Sequence, residues 1–405
     1  MFDVNKIREE FPILNQEVHK RPLVYLDNGA TTQKPRVVTE AILDYYNQRN
    51  SNIHRGIHFL SGQATDDYEN ARVRIKDFIN AKKKEEVIFT NGTTSSLNML
   101  AFSFGEQYLS EGDNIIVSEM EHHANIVPWQ MLCERKKVEL RVIPFNDIGE
   151  LLLEEYRKLI DDKTKLVSVT HISNVLGTVN PAKEIIDTAH KHDIPVCLDA
   201  AQSIQHEKID VQELDCDFLV FSGHKIYGPT GIGIFYGKEK YLEEMPPWQG
   251  GGDMVDEVSF EKTTYNVLPF KFEAGTTNFI GAHGLKKAID FLDNINIESI
   301  KNHEAELLRY ATRKIKELGG ITIYGEAEKK ASTISFLIDG VHMLDTGMIL
   351  DKLGIAVRTG THCAQPIMQH YNITGTVRAS FAIYNTKEEI DYLCSGLERV
   401  KNMFL

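Results

Sequence analysis

The sequence predicts an α/β protein with a large, mixed and mostly parallel sheet, followed by a smaller α+β domain. From about residue 85, short β-branched runs alternate with helical patterns, and these runs are apolar throughout. Continuously apolar strands are typical of a parallel sheet that helices cover on both faces. After about Gly281 the pattern changes to long helices and a few strands. We therefore expect a large domain over 22–280 and a small domain over 281–405, with 1–21 packing on the small one.

The strands of the large domain are predicted in the order EVIFT, NIIVS, VELRVIPF, KLVSVTHIS, IPVCLDA and DFLVFSG. GIGIFYG follows after only a few loop residues, which are too few for a crossover helix, so we expect this strand to be antiparallel. In the small domain, a long helical region precedes strands ITIYG, STISFLI, IAVRT and VRASFAIYN, with a helix over MLDTGMILDKL among them. A capping box of Thr386 and Glu389 begins the last helix.

Composition excludes several classes of protein. The formal charge of −13 over 405 residues argues against nucleic-acid binding, which needs a basic footprint. No window approaches the roughly 18 consecutive apolar residues of a membrane span, and MFDVNKIREEFPIL lacks a signal-peptide core. We expect a cytoplasmic protein. The five cysteines are widely spaced and never form C-x-x-C, so neither a disulfide framework nor a zinc knuckle is indicated.

Polar residues follow several predicted strands, and ligands of open α/β sheets bind beyond the carboxyl ends of the strands. Gly92, Thr93 and Thr94 precede an apolar helix, where backbone N–H groups and hydroxyls can bind an anion; an ordinary helix cap is the alternative. Asp199 ends a doubly buried strand and requires a positive partner, such as a lysine, an arginine, a metal or a protonated pyridine nitrogen. A helix cap or salt bridge remains open for it.

Ser222, His224 and Lys225 follow the strand DFLVF and precede a Gly/Pro-rich turn. Burial lowers the pKa of a lysine amine and suits it to Schiff-base chemistry, although a surface lysine is the alternative. A phosphate site, an acid for a ring nitrogen and a lysine for an aldehyde together are the requirements of pyridoxal 5′-phosphate (PLP). His122 or His123, at another strand end, could stack on the ring and move protons.

Cys363 lies in RTGTHCAQP among polar and basic neighbours, whereas the other four cysteines lie in apolar or helical runs. A thiolate could be stabilised there. From these residues alone, Cys363 could be a nucleophile, a metal ligand or a bystander.

The chain resembles the group II (SufS-type) cysteine desulfurases, in the class-V aminotransferase family of fold-type I PLP enzymes. The matching segments run in family order across nearly the whole chain: YLDNGATTQKP, NIHRGIHFLS, ATDDYENAR, MEHHANIVPWQ, THISNVLGT, LDAAQS, FSGHKIYGPTGIG, PPWQGGGDM, FEAGTTN, AVRTGTHCAQP and VRASFAIYNT.

The resemblance implies a role for each matching residue. Lys225 would carry the cofactor, Asp199 would pair with its ring nitrogen, Gln202 with its hydroxyl, and His122 would stack on the ring. Thr93, Thr94, Ser222 and His224 would hold the phosphate, together with Thr276 from the second subunit of a homodimer. Asn174, Arg358 and Arg378 would bind the substrate, with His54 and Arg55 as further pocket residues, and Cys363 would be the nucleophile.

The implied reaction converts L-cysteine to L-alanine. The Lys225 amine removes the α-proton, and the Cys363 sulfur attacks the substrate sulfur to give an enzyme persulfide. A SufE- or SufU-type acceptor would then deliver the sulfur to Fe–S cluster assembly. Two departures from the family are Thr361, where histidine is frequent, and Gly29, where alanine is common.

Other functions remain open at this point. Selenocysteine lyase, cysteine sulfinate desulfinase and aminotransferase activities use the same fold, and the first of these can proceed without the nucleophile. An aminotransferase gives no reason for the placement of Cys363. A non-enzymatic regulator has no basic patch to support it, and a Cys/His metal protein lacks further ligands at suitable spacing.

Overall fold

A computed structural model of the protein describes residues 2–404. The N-terminal part contains helix α1 (Val4–Glu9) and strands β1 (Glu17–Val18), β2 (Arg21–Pro22) and β3 (Val24–Tyr25). This part contacts the C-terminal part of the chain, because Arg8 donates to Glu389 at 2.9 Å and Phe11 packs against Tyr384. Phe11 also packs against Tyr227 of the central region, so it joins both regions.

A seven-stranded sheet forms the centre of the described chain. Its strands are β4 (Val87–Thr90), β5 (Asn114–Ser118), β6 (Glu139–Ile143), β7 (Thr164–Thr170), β8 (Val196–Asp199), β9 (Phe218–Ser222) and β10 (Gly233–Gly237). They lie in the order β4-β10-β9-β8-β7-β5-β6. Strand β10 is antiparallel to both neighbours, as predicted, and the other pairs are parallel. Every residue of β5, β8, β9 and β10 is buried, which is why these strands are apolar throughout.

Helices cover both faces of this sheet. They are α2 (Arg36–Gln48), α3 (Phe59–Phe78), α4 (Thr93–Tyr108), α5 (Val127–Lys136), α6 (Leu153–Leu159), α7 (Ala182–His190), α8 (Val211–Leu214) and α9 (Glu239–Glu244). A hairpin of β11 (Val255–Val258) and β12 (Thr263–Tyr265) follows, and then helix α10 (Phe279–Ile295). Helix α10 packs against α2 and α3, so the apolar core of the central sheet continues past residue 280. The domain boundary stays a prediction.

The remaining elements include a four-stranded antiparallel sheet of order β13-β14-β17-β16 and the helices next to it. They are α11 (Ile297–Glu317), β13 (Ile321–Tyr324), β14 (Thr333–Ile338), α12 (Met343–Lys352), β15 (Ile355–Ala356), β16 (Arg358–Gly360), α13 (Gln365–His370), β17 (Thr376–Ser380) and α14 (Lys387–Phe404). The predicted fold class, α/β with a mixed, mostly parallel sheet and a smaller α+β part, is confirmed.

Two local predictions had different outcomes. The single strand predicted over IAVRT is wrong, because β15 pairs in parallel with β3 whereas β16 pairs with β17. The chain changes partner at Val357, which local pattern does not reveal. The capping box is confirmed: the Thr386 N–H donates to Glu389 at 3.1 Å, and the Glu389 N–H donates to the Thr386 hydroxyl at 3.4 Å.

Across residues 2–404, none of the helices combines the length and the apolar character that crossing a bilayer requires.

Candidate active site

The carboxyl ends of five strands meet at one edge of the central sheet. Strands β4, β5, β7, β8 and β9 all point the same way, since only β10 is reversed. A cavity of about 200 Å³ lies at this edge. The predicted site residues that line it are Thr93, Thr94, His122, Asn174, Asp199, Gln202, Ser222, His224, Lys225, Arg358, Cys363 and Arg378.

One end of the cavity is built from hydroxyls and the N-terminus of α4. The Thr93 N–H donates to Ser222 Oγ at 2.9 Å, and the two hydroxyl oxygens are 2.8 Å apart. Gly92 precedes them with φ of 144°, and a Cβ atom there would come within 3.3 Å of Ser222 Oγ. His224 Nδ1 lies 3.2 Å from the Thr31 hydroxyl. Such a helix N-terminus suits a phosphate group.

Asp199 and Lys225 lie at the ends of two neighbouring strands, β8 and β9. Asp199 ends β8 and is buried, and its Oδ1 accepts from the Ala201 N–H at 2.9 Å. Burial raises the pKa of Asp199, while the Ala201 N–H and the Lys225 charge oppose that rise. Burial lowers the pKa of Lys225 to about 8, against the opposing attraction of Asp199. A substantial fraction of this amine is therefore neutral near pH 8 and able to act as a nucleophile or base.

His122 has a defined tautomer. Its Nδ1 accepts from the Ala124 N–H at 3.0 Å, so the ring proton resides on Nε2. Burial, together with the nearby Lys225 charge, lowers the pKa of His122 to about 4. The imidazole on the cavity wall is consequently neutral at physiological pH, with its Nε2–H as a donor.

Arg378 supplies a buried positive charge. Its Nη1 donates to the Asn174 carbonyl at 2.8 Å, and its Nη2 lies 3.2 Å from Asp27 Oδ1. Arg358 is more exposed, with its Nη1 at 3.9 Å from Asp27 Oδ2. Sequence reasoning missed Asp27 as a member of this group. The available signal was a carboxylate directly after the apolar run LVYL, the same signal that identified Asp199.

Cys363 lies in a strained loop. His362 and Cys363 both have left-handed backbones, with φ of 53° and 56°, which is costly for residues with side chains. His362 Nε2 lies 2.8 Å from the Thr376 hydroxyl, and burial lowers the pKa of His362 to about 3. His362 is therefore neutral and places no positive charge beside the thiol. Among residues 2–404, Cys363 is partly exposed while the other four thiols are buried.

Three predicted residues lie elsewhere. Thr276 lines a separate pocket of this chain, with Asn91 and Trp248. His54 lies 3.6 Å from Glu69, and Arg55 pairs with Asp253 at 2.5 Å. Neither His54 nor Arg55 is among the described residues that line the 200 Å³ cavity.

The cavity also contains His362, the histidine that remains beside Cys363 where Thr361 replaces the frequent one, and residues that the sequence did not indicate, namely Gly29, Ala30, Ala124, Thr170 and Ala201. Most carry small side chains or none, so their contribution is space and backbone, and a pattern of side-chain chemistry gives no signal for them.

Comparisons with known proteins agree with the fold and with the resemblance. A probable cysteine desulfurase of Halalkalibacterium halodurans is 50% identical over 402 residues, which is 99% of each chain. A cysteine desulfurase of Escherichia coli is 50% identical over 404 residues, covering 100% of this chain and 99% of its own.

Solved structures show the same similarity. The Escherichia coli cysteine desulfurase CsdA, in an S-sulfonic acid form, is 37% identical with a TM-score of 0.93, covering all of both chains. The Thermococcus onnurineus cysteine desulfurase is 38% identical with a TM-score of 0.94 over 98% of both chains. The model of the family described as aminotransferase class-V matches residues 24–393. The chain belongs to the class-V aminotransferase family.

Proposed function

We propose that the protein is a PLP-dependent cysteine desulfurase, which converts L-cysteine to L-alanine and transfers the sulfur to Cys363. The observation that carries this proposal is that Lys225, Asp199 and Cys363 line one cavity. Relatives that are 50% identical over 99% of the chain are named cysteine desulfurases, which supports the same reaction.

The residues present fit the cofactor. The N-terminus of α4 with Ser222 suits a phosphate, the buried Asp199 suits a protonated ring nitrogen, and the partly neutral Lys225 suits an aldehyde. Within residues 2–404, Arg378 Nε and His362 Nδ1 are buried polar atoms without a hydrogen-bond partner. Both residues line the cavity, so the site retains polar groups that a bound molecule can satisfy.

When bound, PLP supplies an electron sink for the bonds at the substrate α-carbon. Lys225 Nζ is the group that accepts the α-proton and later returns it. Asp199, buried at the end of β8, would accept a hydrogen bond from the protonated ring nitrogen, and the neutral His122 presents its ring and its Nε2–H. Arg378 binds the substrate carboxylate through two N–H groups, as arginine forks do.

Cys363 then receives the sulfur. Its sulfur forms a bond to the substrate sulfur while the bond between that sulfur and the substrate β-carbon breaks. The electron pair of the broken bond stays with the carbon skeleton, which takes up protons and leaves as alanine. Sulfur transfer at Cys363 leaves a persulfide, so a second thiol is needed to complete the cycle.

The finer assignments are part of the same proposal. The enzyme is a homodimer in which Thr276 of one subunit reaches the phosphate bound by the other. The placement of Thr276 outside its own chain's cavity supports this arrangement. The protein is cytoplasmic, of the group II type, and passes its persulfide sulfur to a SufE- or SufU-type acceptor for Fe–S cluster assembly.

The test is incubation with L-cysteine and a reductant, with alanine and sulfide measured with and without a candidate acceptor. We expect Cys363→Ala to lose alanine formation from cysteine, whereas Cys133→Ala, which changes a buried thiol on α5, keeps it. Selenocysteine cleavage by Cys363→Ala would show that the cofactor site is intact. If Cys363→Ala forms alanine from cysteine at the wild-type rate, the proposed role of this thiol is refuted.

A further inference from the structure

We propose that His123 is a positioning residue that holds the Cys363 loop in the geometry needed for sulfur transfer. The inference rests on the proposed function, because it gives a role to a neighbour of the nucleophile. His123 itself is not among the described residues that line the cavity, whereas the preceding His122 is. The two adjacent histidines therefore act in different places.

His123 contacts the Cys363 loop at two points. Its backbone N–H donates to the Cys363 carbonyl at 2.7 Å, and its Nε2 accepts from the Gln365 N–H at 3.1 Å. The residue thus binds the chain on both sides of Ala364. Gln365 is the first residue of α13, so its N–H has no partner within the helix and needs one from outside.

The loop requires such support because its backbone is strained. His362 and Cys363 are two successive side-chain-bearing residues in the left-handed region, and such residues persist only where the surroundings enforce them. The strain of two of them is at least comparable with the contribution of one hydrogen bond. Losing one of the contacts that hold the loop is therefore enough to shift it toward relaxed conformations.

The other end of the loop is held separately. Asn174 Nδ2 donates to the His362 carbonyl at 2.8 Å, so His123 and Asn174 clamp consecutive residues. The ring of His123 acts as an acceptor and must be unprotonated at Nε2, which agrees with the lowering of its pKa by burial. The backbone bond from His123 to Cys363 survives any side-chain substitution, so variants should keep the fold.

The experiment compares His123→Ala with His123→Gln, whose amide oxygen restores an acceptor at similar reach, and with His192→Ala as an exposed control. The holoenzymes are assayed for kcat and KM in alanine formation and for the visible spectrum of bound PLP. Cys363 alkylation by iodoacetamide is followed on its peptide by mass spectrometry. The alkylation rate also measures the loop when no turnover occurs.

For His123→Ala we expect kcat to fall about 3- to 10-fold, the effect of one hydrogen bond. KM should stay within two-fold of the wild-type value, and the PLP spectrum should not change. Alkylation of Cys363 should become faster. His123→Gln should recover at least half of the wild-type kcat, and His192→Ala should match wild type.

Wild-type kcat and alkylation in His123→Ala would overturn the inference. So would a Gln variant no better than Ala, or a changed PLP spectrum, which would indicate damage to the cofactor site instead. Absence of alanine formation by the wild-type enzyme would refute the proposed function, and the alkylation rates would still decide the role of His123.

Discussion

Replacing Gly29 by alanine tests whether the position of Arg378 determines substrate affinity. A Cβ atom at Gly29 would lie 3.1 Å from Arg378 Cζ and 3.2 Å from its Nη2. Non-bonded atoms are relaxed at roughly 3.5–4.0 Å, so the guanidinium must retreat by a few tenths of an ångström. Its bonds to Asn174 at 2.8 Å and to Asp27 at 3.2 Å resist that movement. The strain therefore falls on the group proposed to bind the substrate carboxylate.

A hydrogen bond to a charged group contributes about 1.5–3 kcal/mol. A displacement that weakens one such bond by about 1 kcal/mol corresponds to a roughly 5-fold loss of affinity, since about 1.4 kcal/mol is tenfold. We expect Gly29→Ala to raise KM for L-cysteine about 3- to 10-fold, with kcat within two-fold, because the carboxylate contact is the same in the ground and transition states. Initial rates of alanine formation across a range of L-cysteine concentrations measure both constants.

Gly62→Ala is the matched control. Gly62 lies on α3, and a Cβ atom there meets no other atom within 4 Å. Because Gly29 is not among the left-handed glycines, backbone strain does not confuse the comparison. If Gly29→Ala and Gly62→Ala give the same KM as wild type, the reasoning about Arg378 is refuted.

Two further predictions concern stability, both measured by urea unfolding of the apo-protein. Arg72 is fully buried and binds Glu273 through two N–H groups at 2.7 and 2.9 Å, so Arg72→Met should lower the free energy of unfolding by about 3–5 kcal/mol; a loss under about 1 kcal/mol would contradict this. Burial raises the pKa of Glu121 from 4.5 to about 8, so in this pH window the native state binds a proton that the unfolded state has lost. Stability relative to Glu121→Gln should fall as the pH rises from about 5 to 8, and a rise would contradict the assignment.

The large sheet was predictable because its strands carry their own signal. Strands that are buried on both faces must be apolar at every position, and the short connection before β10 permits only an antiparallel return. The order of the strands depends on pairings between segments that are distant along the chain, such as β4 with β10, and the pairing of β3 with β15 joins residues more than 300 positions apart. No local pattern encodes either of them. For the same reason, IAVRT was predicted as one strand when it belongs to two sheets.

The site residues also fall into two groups, one whose roles the sequence pattern predicted and one whose roles it did not. Thr93, Thr94, Asp199, Ser222 and Lys225 lie at or just beyond the carboxyl ends of strands of the central sheet, so the rule about strand ends identified them before any family resemblance. Cys363, Arg358 and Arg378 reach the cavity from the β16–β17 region. Their roles followed only from the resemblance, since a thiol in a polar loop has several possible functions.

Asn174 links the central sheet to the two groups that come from the β16–β17 region, Arg378 and the Cys363 loop. It follows β7 of the central sheet, and its carbonyl accepts from Arg378 while its side-chain amide donates to the His362 carbonyl. One residue thus contacts both the proposed carboxylate-binding arginine and the loop of the proposed nucleophile. Because both contacts come from the same residue, its backbone position sets the separation between the substrate carboxylate and the Cys363 sulfur. His123 contacts only the Cys363 loop. A substitution of His123 should therefore change sulfur transfer without changing substrate binding, whereas a substitution of Asn174 should change both.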